Sequence, residues 1–178
     1  DRLMSSFTSA LPSPRRGYAV VRLALDLGLR GIEISRLRLA DIDWRQGTVT
    51  LKHTKSRRQD LLPLPTSTGR ALEAYLRHER PKTSDGAVFV RRLAPHDEPV
   101  GVDAIRHIVR DAFRRAGIPH GRGHALRHTV ACRIVNQGGS IKEVADVLRH
   151  RSLNTSMIYA KLDHSALSGV ALPWPGSA

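Results

Sequence analysis

The chain has 178 residues, with 29 lysines and arginines against 16 aspartates and glutamates, a formal charge of +13. Hydrophobic residues at 40% and charged residues at 25% exclude wholesale disorder and a fibrous repeat. The longest mostly apolar run, Tyr18 to Leu29, is interrupted by Arg22 and Asp26 and falls short of the ~20 residues a bilayer span requires. No secretory signal opens the chain, and the single cysteine, Cys132, can form no internal disulfide and cannot alone hold a structural zinc, which fits a reducing cytosol. The positive excess points to a polyanion, because Lys and Arg that neutralise phosphates release condensed counterions. Aromatic residues make up only 4%, so stacking platforms for single strands are poorly supplied and duplex DNA is the favoured partner.

Asp1 is not an initiator methionine, so a piece of a longer protein is expected. Residues 9–16, with Pro12 and Pro14 among small and basic side chains, read as a loop or linker. Tyr18 to Leu29 is apolar on nearly all sides, as a central helix is, with Gly28 and Gly31 at its end. Ile32 to Leu39 resumes a helical pattern before residues 40–43 turn the chain. Thr48 to Leu51 alternates as a strand does, and Asp60 to Leu64 is extended again, which predicts a hairpin or small sheet with the basic run Lys52 to Arg58 at its tip.

Thr66 and Ser67 can cap a helix running to about Arg80, with Pro81 as its stop. Residues 82–100 read as an irregular connection around the apolar piece Ala87 to Val90. Val102, Ile105, Val109, Phe113 and Ala116 fall at steps of three and four, an amphipathic helix. His124 to Val135 predicts another, closed by Gly138 and Gly139, and Ser140-Ile-Lys-Glu143 has the form of a capping box opening a helix to about Leu148. A short helix around Met157, Ile158 and Tyr159 follows, and Pro173 limits the tail. The fold class expected is mainly α with a small antiparallel β-sheet or hairpin, arranged as one domain around one core.

No glycine-rich phosphate loop, HExxH or paired CxxC occurs, and Asp26, Glu33, Asp41 and Asp43 form the only close acidic set. No metal and no cofactor is expected. What the sequence does concentrate is phosphate-binding chemistry near one phenol. His124, Arg127 and His128 stand at i, i+3 and i+4 on one helical face, and Arg127 can fork two phosphate oxygens. Arg149-His150 follows a helix end, and Tyr159 lies nine residues beyond His150. Clustered cations stabilise a phenolate, and a phenolate can attack phosphorus.

Five stretches in this order resemble the phage-integrase, or tyrosine recombinase, family: Leu27-Gly-Leu-Arg30-Gly-Ile-Glu33 with Leu37-x-Leu39-x-Asp41-Ile42-Asp43; Thr54-Lys55-Ser56-Arg57-Arg58 before Leu62-Pro63-Leu64; His124-x-Leu126-Arg127-His128-Thr129; Leu148-Arg149-His150; and Tyr159. The resemblance runs from about Arg16 to Trp174 and implies the integrase catalytic-domain fold. Carried over residue by residue, the catalytic set is Arg30, Lys55, His124, Arg127, His150 and Tyr159. The resemblance makes the two arginines a clamp on the scissile phosphate, Tyr159 the nucleophile that forms a 3′-phosphotyrosine, and Lys55 the general acid for the 5′-oxygen. His124 assists proton transfer, and His150 donates a hydrogen bond to the phosphate. Lys52 competes with Lys55 for the acid's role and is otherwise a DNA contact, with Arg57, Arg58 and Arg122. Glu33 is read as a partner orienting active-site cations, and His128 as a structural or backbone-contacting residue.

The resemblance also implies a catalytic domain over residues 17–164, entered through the end of a linker at 1–16. It implies a preceding helical clamp domain outside this chain and a tail, 165–178, that docks on a neighbouring subunit or folds back. Partners are then duplex DNA and further copies, four on DNA, in bacterial or phage cytoplasm near the nucleoid. Two departures stand out: the family usually has glycine where Arg149 stands, and often an acid where Ala125 stands. Competing readings are a type IB topoisomerase-like relaxing enzyme and a non-catalytic helix-turn-helix regulator, which needs base-reading side chains and no Tyr159.

Overall fold

Helices dominate the computed structural model, which describes residues 2–52, 59–119 and 121–149. The elements run α1 (Arg2–Ser5), α2 (Pro14–Asp26), α3 (Gly31–Ser35), a 3-10 turn (Leu39–Asp41), β1 (Ile42–Asp43), β2 (Thr48–Leu51) and β3 (Asp60–Pro63). They continue through α4 (Thr66–His78), α5 (Val102–Arg115), α6 (Gly123–Asn136) and α7 (Ile141–Val147). The mainly α class with one small antiparallel sheet stands as read. By contact the chain divides into two units, residues 1–127 and 128–178. Its buried apolar residues fall into two clusters where one core was expected.

In the first unit α2 is the central helix. Its Ala19, Val20, Val21 and Leu23 are fully buried, packed with Leu72 and Tyr75 of α4 and Ile105, Val109, Ala112 and Phe113 of α5. The helix begins at Pro14, inside the stretch read as a loop, for two reasons. Proline suits the first helical position, whose N–H has no intrahelical partner. Glu79, just beyond α4, accepts hydrogen bonds from the Arg15 and Arg16 N–H groups at 2.8 and 3.2 Å, a cap supplied from 63 residues away. Asp26 binds α2 to α4 through Thr68 at 2.5 Å and pairs with Arg22 at 2.7 Å.

The sheet has the order β1-β2-β3, all antiparallel, with Ile42 opposite Val49 and Val49 opposite Leu62. Val49 and Leu51 turn inward and Thr48 and Thr50 lie half-exposed, the period-two pattern of a strand with one buried face. The connection 82–100 is irregular as expected but tightly held. Arg80 donates to the carbonyls of Asp85 and Ala87 at 2.7 and 2.8 Å, which seats Phe89 in the core, stacked on Tyr75 at 5.2 Å between centroids.

α5 ends in a Schellman motif: Gly117 has φ of +67°, its N–H bonds Arg114, and the Ile118 N–H bonds the Phe113 carbonyl at 3.0 Å. In the second unit Gly138 (φ +82°) and Gly139 close α6 the same way, onto Val135 and Ile134. The capping box at α7 forms as read, with Glu143 N–H on the Ser140 hydroxyl and Ser140 N–H on the Glu143 carboxylate. Past the end of α7, Arg149 takes φ of +53°, the left-handed conformation that a glycine supplies at no steric cost. The helix around Tyr159 and the tail 165–178 lie outside the described residues. Among the described residues no helix is long and apolar enough to cross a membrane.

Burial pushes the Tyr75 phenol above its ordinary value of 10.0. Below pH 10 both folded and unfolded chains keep this proton, so the residue gives no pH dependence. Above it only the unfolded chain releases the proton, and stability falls. Urea denaturation of the protein and of Tyr75→Phe between about pH 8 and pH 11 is expected to show a shallower alkaline loss in the variant. Parallel slopes would contradict a buried neutral phenol.

Candidate active site

The turn between α2 and α3 builds the first part of the site. α2 must stop where Gly28 takes φ of +60°, a conformation β-carbon residues resist, and the Leu29 N–H bonds back to the Leu23 carbonyl at 3.3 Å. Leu29 is buried, which anchors the turn in the core, and Arg30 follows in an extended conformation as the N-cap of α3. Glu33, one helical turn on, accepts the Arg30 backbone N–H at 2.7 Å and pairs with its guanidinium at 3.1 Å. One carboxylate thus satisfies an orphan helix donor and orients a cation. The Arg30 side chain is 41% exposed and that of Glu33 only 10%, so the charge of Arg30 faces outward over a fixed partner.

Arg127 reaches the same turn from α6. It is 6% exposed, and its Nη1 donates a hydrogen bond to the Gly28 carbonyl, 99 residues away in sequence. Leu126 beside it is buried in the first cluster and fixes the helix rotation that aims Arg127 inward. Both arginines singled out in the sequence therefore converge on residues 28–30. His124 stands one helical turn before Arg127 on an exposed surface, as does Arg122, whose carbonyl accepts the Ala125 N–H at 2.8 Å. His128 is exposed and belongs to the second unit. Lys55, Arg57, Arg58, His150 and Tyr159 lie outside the described residues.

Lys52 is described, and its ammonium lies 2.7 Å from Asp41. Sequence reading named Asp41 as part of a motif without a function for it. The available signal was an acid directly before the first strand and a lysine directly after the strand that pairs with it. The acidic set Asp26, Glu33, Asp41 and Asp43 is dispersed: Asp26 holds Arg22 and Thr68, Glu33 holds Arg30, Asp41 faces Lys52, and Asp43 accepts the Arg45 and Gln46 N–H groups of the β1–β2 turn. No group of three or more metal-ligating side chains occurs among the described residues.

The sequence profile described as "Phage integrase family" matches residues 1–166. The protein "Putative integrase/recombinase y4rA" of Sinorhizobium fredii is 40% identical over 180 residues, spanning 100% of this chain and 44% of that protein. "Tyrosine recombinase XerC" of Bifidobacterium longum subsp. infantis is 32% identical over 170 residues, 89% of this chain and 48% of that one. The chain spans about half the length of these relatives. Among solved structures, the crystal structure of XerA recombinase superposes with a TM-score of 0.78 at 27% identity, covering 94% of this chain and 60% of that one.

Burial separates the two arginines energetically. Replacing Arg127 by methionine removes a charged donor from a buried carbonyl and is expected to lower the unfolding free energy by about 1–3 kcal/mol. Arg30→Met, at a solvent-screened pair, is expected to cost less than about 1 kcal/mol. Urea denaturation of both variants checks the order, and equal losses would contradict the inward anchoring of Arg127.

Proposed function

Because the chain belongs to the phage integrase family, we propose that it carries out the DNA cleavage and rejoining steps of a tyrosine recombinase. The observation that carries this reading is the hydrogen bond from Arg127 to Gly28, which sets a second arginine against the turn that presents Arg30. Two guanidinium groups fixed by the fold can hold the non-bridging oxygens of one phosphate and offset charge that builds in a pentavalent transition state. Such preorganised donors lower a barrier because nothing has to reorganise as charge develops.

The chemistry proceeds in two balanced steps. The Tyr159 phenol oxygen attacks the scissile phosphorus, with His124 taking part in transfer of the phenol proton. The bond from phosphorus to the 5′-oxygen breaks, and Lys55 gives that oxygen its proton. The products are a 3′-phosphotyrosine and a 5′-hydroxyl. In rejoining, a 5′-hydroxyl attacks the phosphotyrosine and its proton returns to Lys55, while the bond from phosphorus to the Tyr159 oxygen breaks and the departing phenolate regains its proton with His124 taking part. His150 donates to a phosphate oxygen throughout. Bond energy is kept in the phosphotyrosine, so no nucleotide is consumed, and the arginines offset the charge on the oxygens of the phosphorus under attack.

Residues 17–164 form the catalytic domain in this reading, with duplex DNA as substrate and the formal charge of +13 supplying much of the affinity. Arg122 and the run Arg57-Arg58 contact the DNA backbone, and His128 supports the helix that carries His124. Further copies assemble on the DNA, with residues 165–178 as a docking tail, in the cytoplasm where bacterial or phage DNA lies.

Incubation with duplex DNA and denaturing electrophoresis tests the reading. The protein is expected to form a covalent complex that survives denaturation and persists in a metal chelator. Tyr159→Phe is expected to abolish the complex and leave DNA affinity nearly intact. Arg30→Ala and Arg127→Ala are each expected to slow cleavage at least ~100-fold, the usual cost of a preorganised charge. A covalent complex from Tyr159→Phe would remove Tyr159 from the nucleophile's role.

A further inference from the structure

Asp41 is an acid that the proposed chemistry does not use, yet it is 7% exposed and doubly engaged. Its Oδ2 accepts the Arg38 backbone N–H at 2.9 Å, which closes the 3-10 turn leading into β1. Its Oδ1 faces the Lys52 ammonium at 2.7 Å, without the angle of a directed hydrogen bond. The contact is therefore chiefly Coulombic, and the low exposure of the acid makes it stronger than a surface pair. Lys52 is the first residue beyond β2, where the basic connection to β3 leaves the sheet.

The surroundings give this pair its meaning. Asp41, Lys52, Thr50 and Leu51 share a small cleft of about 30 Å³ with Ile32 and Glu33. Glu33 is the residue that orients Arg30. One wall of the cleft thus fixes an arginine of the site, and the other fixes the base of the basic connection. An unpaired carboxylate buried there would be costly, so the pair draws the Lys52 ammonium into the cleft that α3 lines and restrains the chain that carries it. Lys52 is three residues before Lys55 in the chain.

We propose that Asp41 is a positioning residue: by holding Lys52 it restrains the chain where it leaves β2, three residues before the proposed general acid, Lys55. The inference rests on the reading of Lys55 as that acid. It also assigns Lys52 to anchoring the connection, its charge being engaged by a buried carboxylate.

A leaving-group substitution separates positioning from simple structural damage. The probe is a duplex obtained by covalent capture from a random-sequence pool, prepared with either an ordinary phosphodiester or a 5′-bridging sulfur at the cleaved position. The sulfur departs as a thiolate and needs no proton. Asp41→Asn keeps an acceptor for the Arg38 N–H and removes the charge, and Lys52→Met removes the other half of the pair. Each is expected to slow cleavage of the ordinary duplex at least about tenfold, part of the ~10²–10⁴ that a general acid supplies. At saturating DNA each is expected to cleave the sulfur duplex near the unsubstituted rate, and Asp41→Asn, which removes no cation, is expected to leave DNA affinity unchanged. The double variant is expected to lose no more than either single one, because both remove the same contact.

Equal losses of Asp41→Asn and Lys52→Met on both duplexes, or no loss on either, would overturn the proposal. Lys55→Ala run in parallel tells which premise failed. Rescue of Lys55→Ala by sulfur without rescue of Asp41→Asn removes the positioning role alone. Absence of rescue in Lys55→Ala removes the acid assignment and the inference with it.

Discussion

The hydrogen bond from the buried Arg127 guanidinium to the Gly28 carbonyl is the constraint on which the rest of the site depends. A guanidinium cannot give up its charge, so its burial is tolerable only where firm acceptors meet it. A carbonyl released by a left-handed glycine at a helix end is such an acceptor, since it no longer serves the helix. The bond links residues 99 apart and ties α6 to the α2–α3 turn, two residues from Arg30. Fold stability and site geometry are thereby served by one contact.

The carboxylates show the same economy. A chain of charge +13 has few acids, and four of them near the turn and the sheet each restrain a particular neighbour. Glu33 caps α3 while orienting Arg30, Asp26 joins α2 to α4, Asp43 shapes the β1–β2 turn, and Asp41 holds Lys52. Distributing the acids singly leaves the positive surface available to a polyanion and sets each negative charge against a particular cation, hydroxyl or backbone N–H group. A clustered arrangement would have suited a metal and opposed a phosphate.

Much of the fold was legible because its signals are periodic and local. The steps of three and four from Val102 to Ala116 mark α5 within a residue, and Ser140 with Glu143 marks the start of α7. The sequence reading missed features whose causes lie far along the chain. β1 has two residues, too few for any period, and exists because Val49 and Thr48 pair with it. α2 begins at Pro14 because Glu79 caps it. The carboxyl end of α2 was read three residues long because Leu27 and Leu29 continue the apolar pattern while Gly28 breaks the backbone. In the site, Arg127 was readable from residue type and spacing, and Arg30 with Glu33 from the resemblance to the phage integrase family, but the Gly28 carbonyl and the pairing of Asp41 with Lys52 were not, since both are contacts across the fold. Arg149 shows how strongly a helix end dictates conformation: an arginine takes the left-handed geometry there although glycine would suit it better.

If the Gly28 contact makes the arginines act as one clamp, their contributions to cleavage must be coupled. A double-mutant cycle on single-turnover cleavage, using Arg30→Ala, Arg127→Ala and the double variant, tests this most directly. The expected result is a coupling energy above about 1 kcal/mol, the double variant being little worse than either single one. Additivity within about 0.5 kcal/mol would contradict the account, because independent residues, and not a shared turn, would then carry the chemistry.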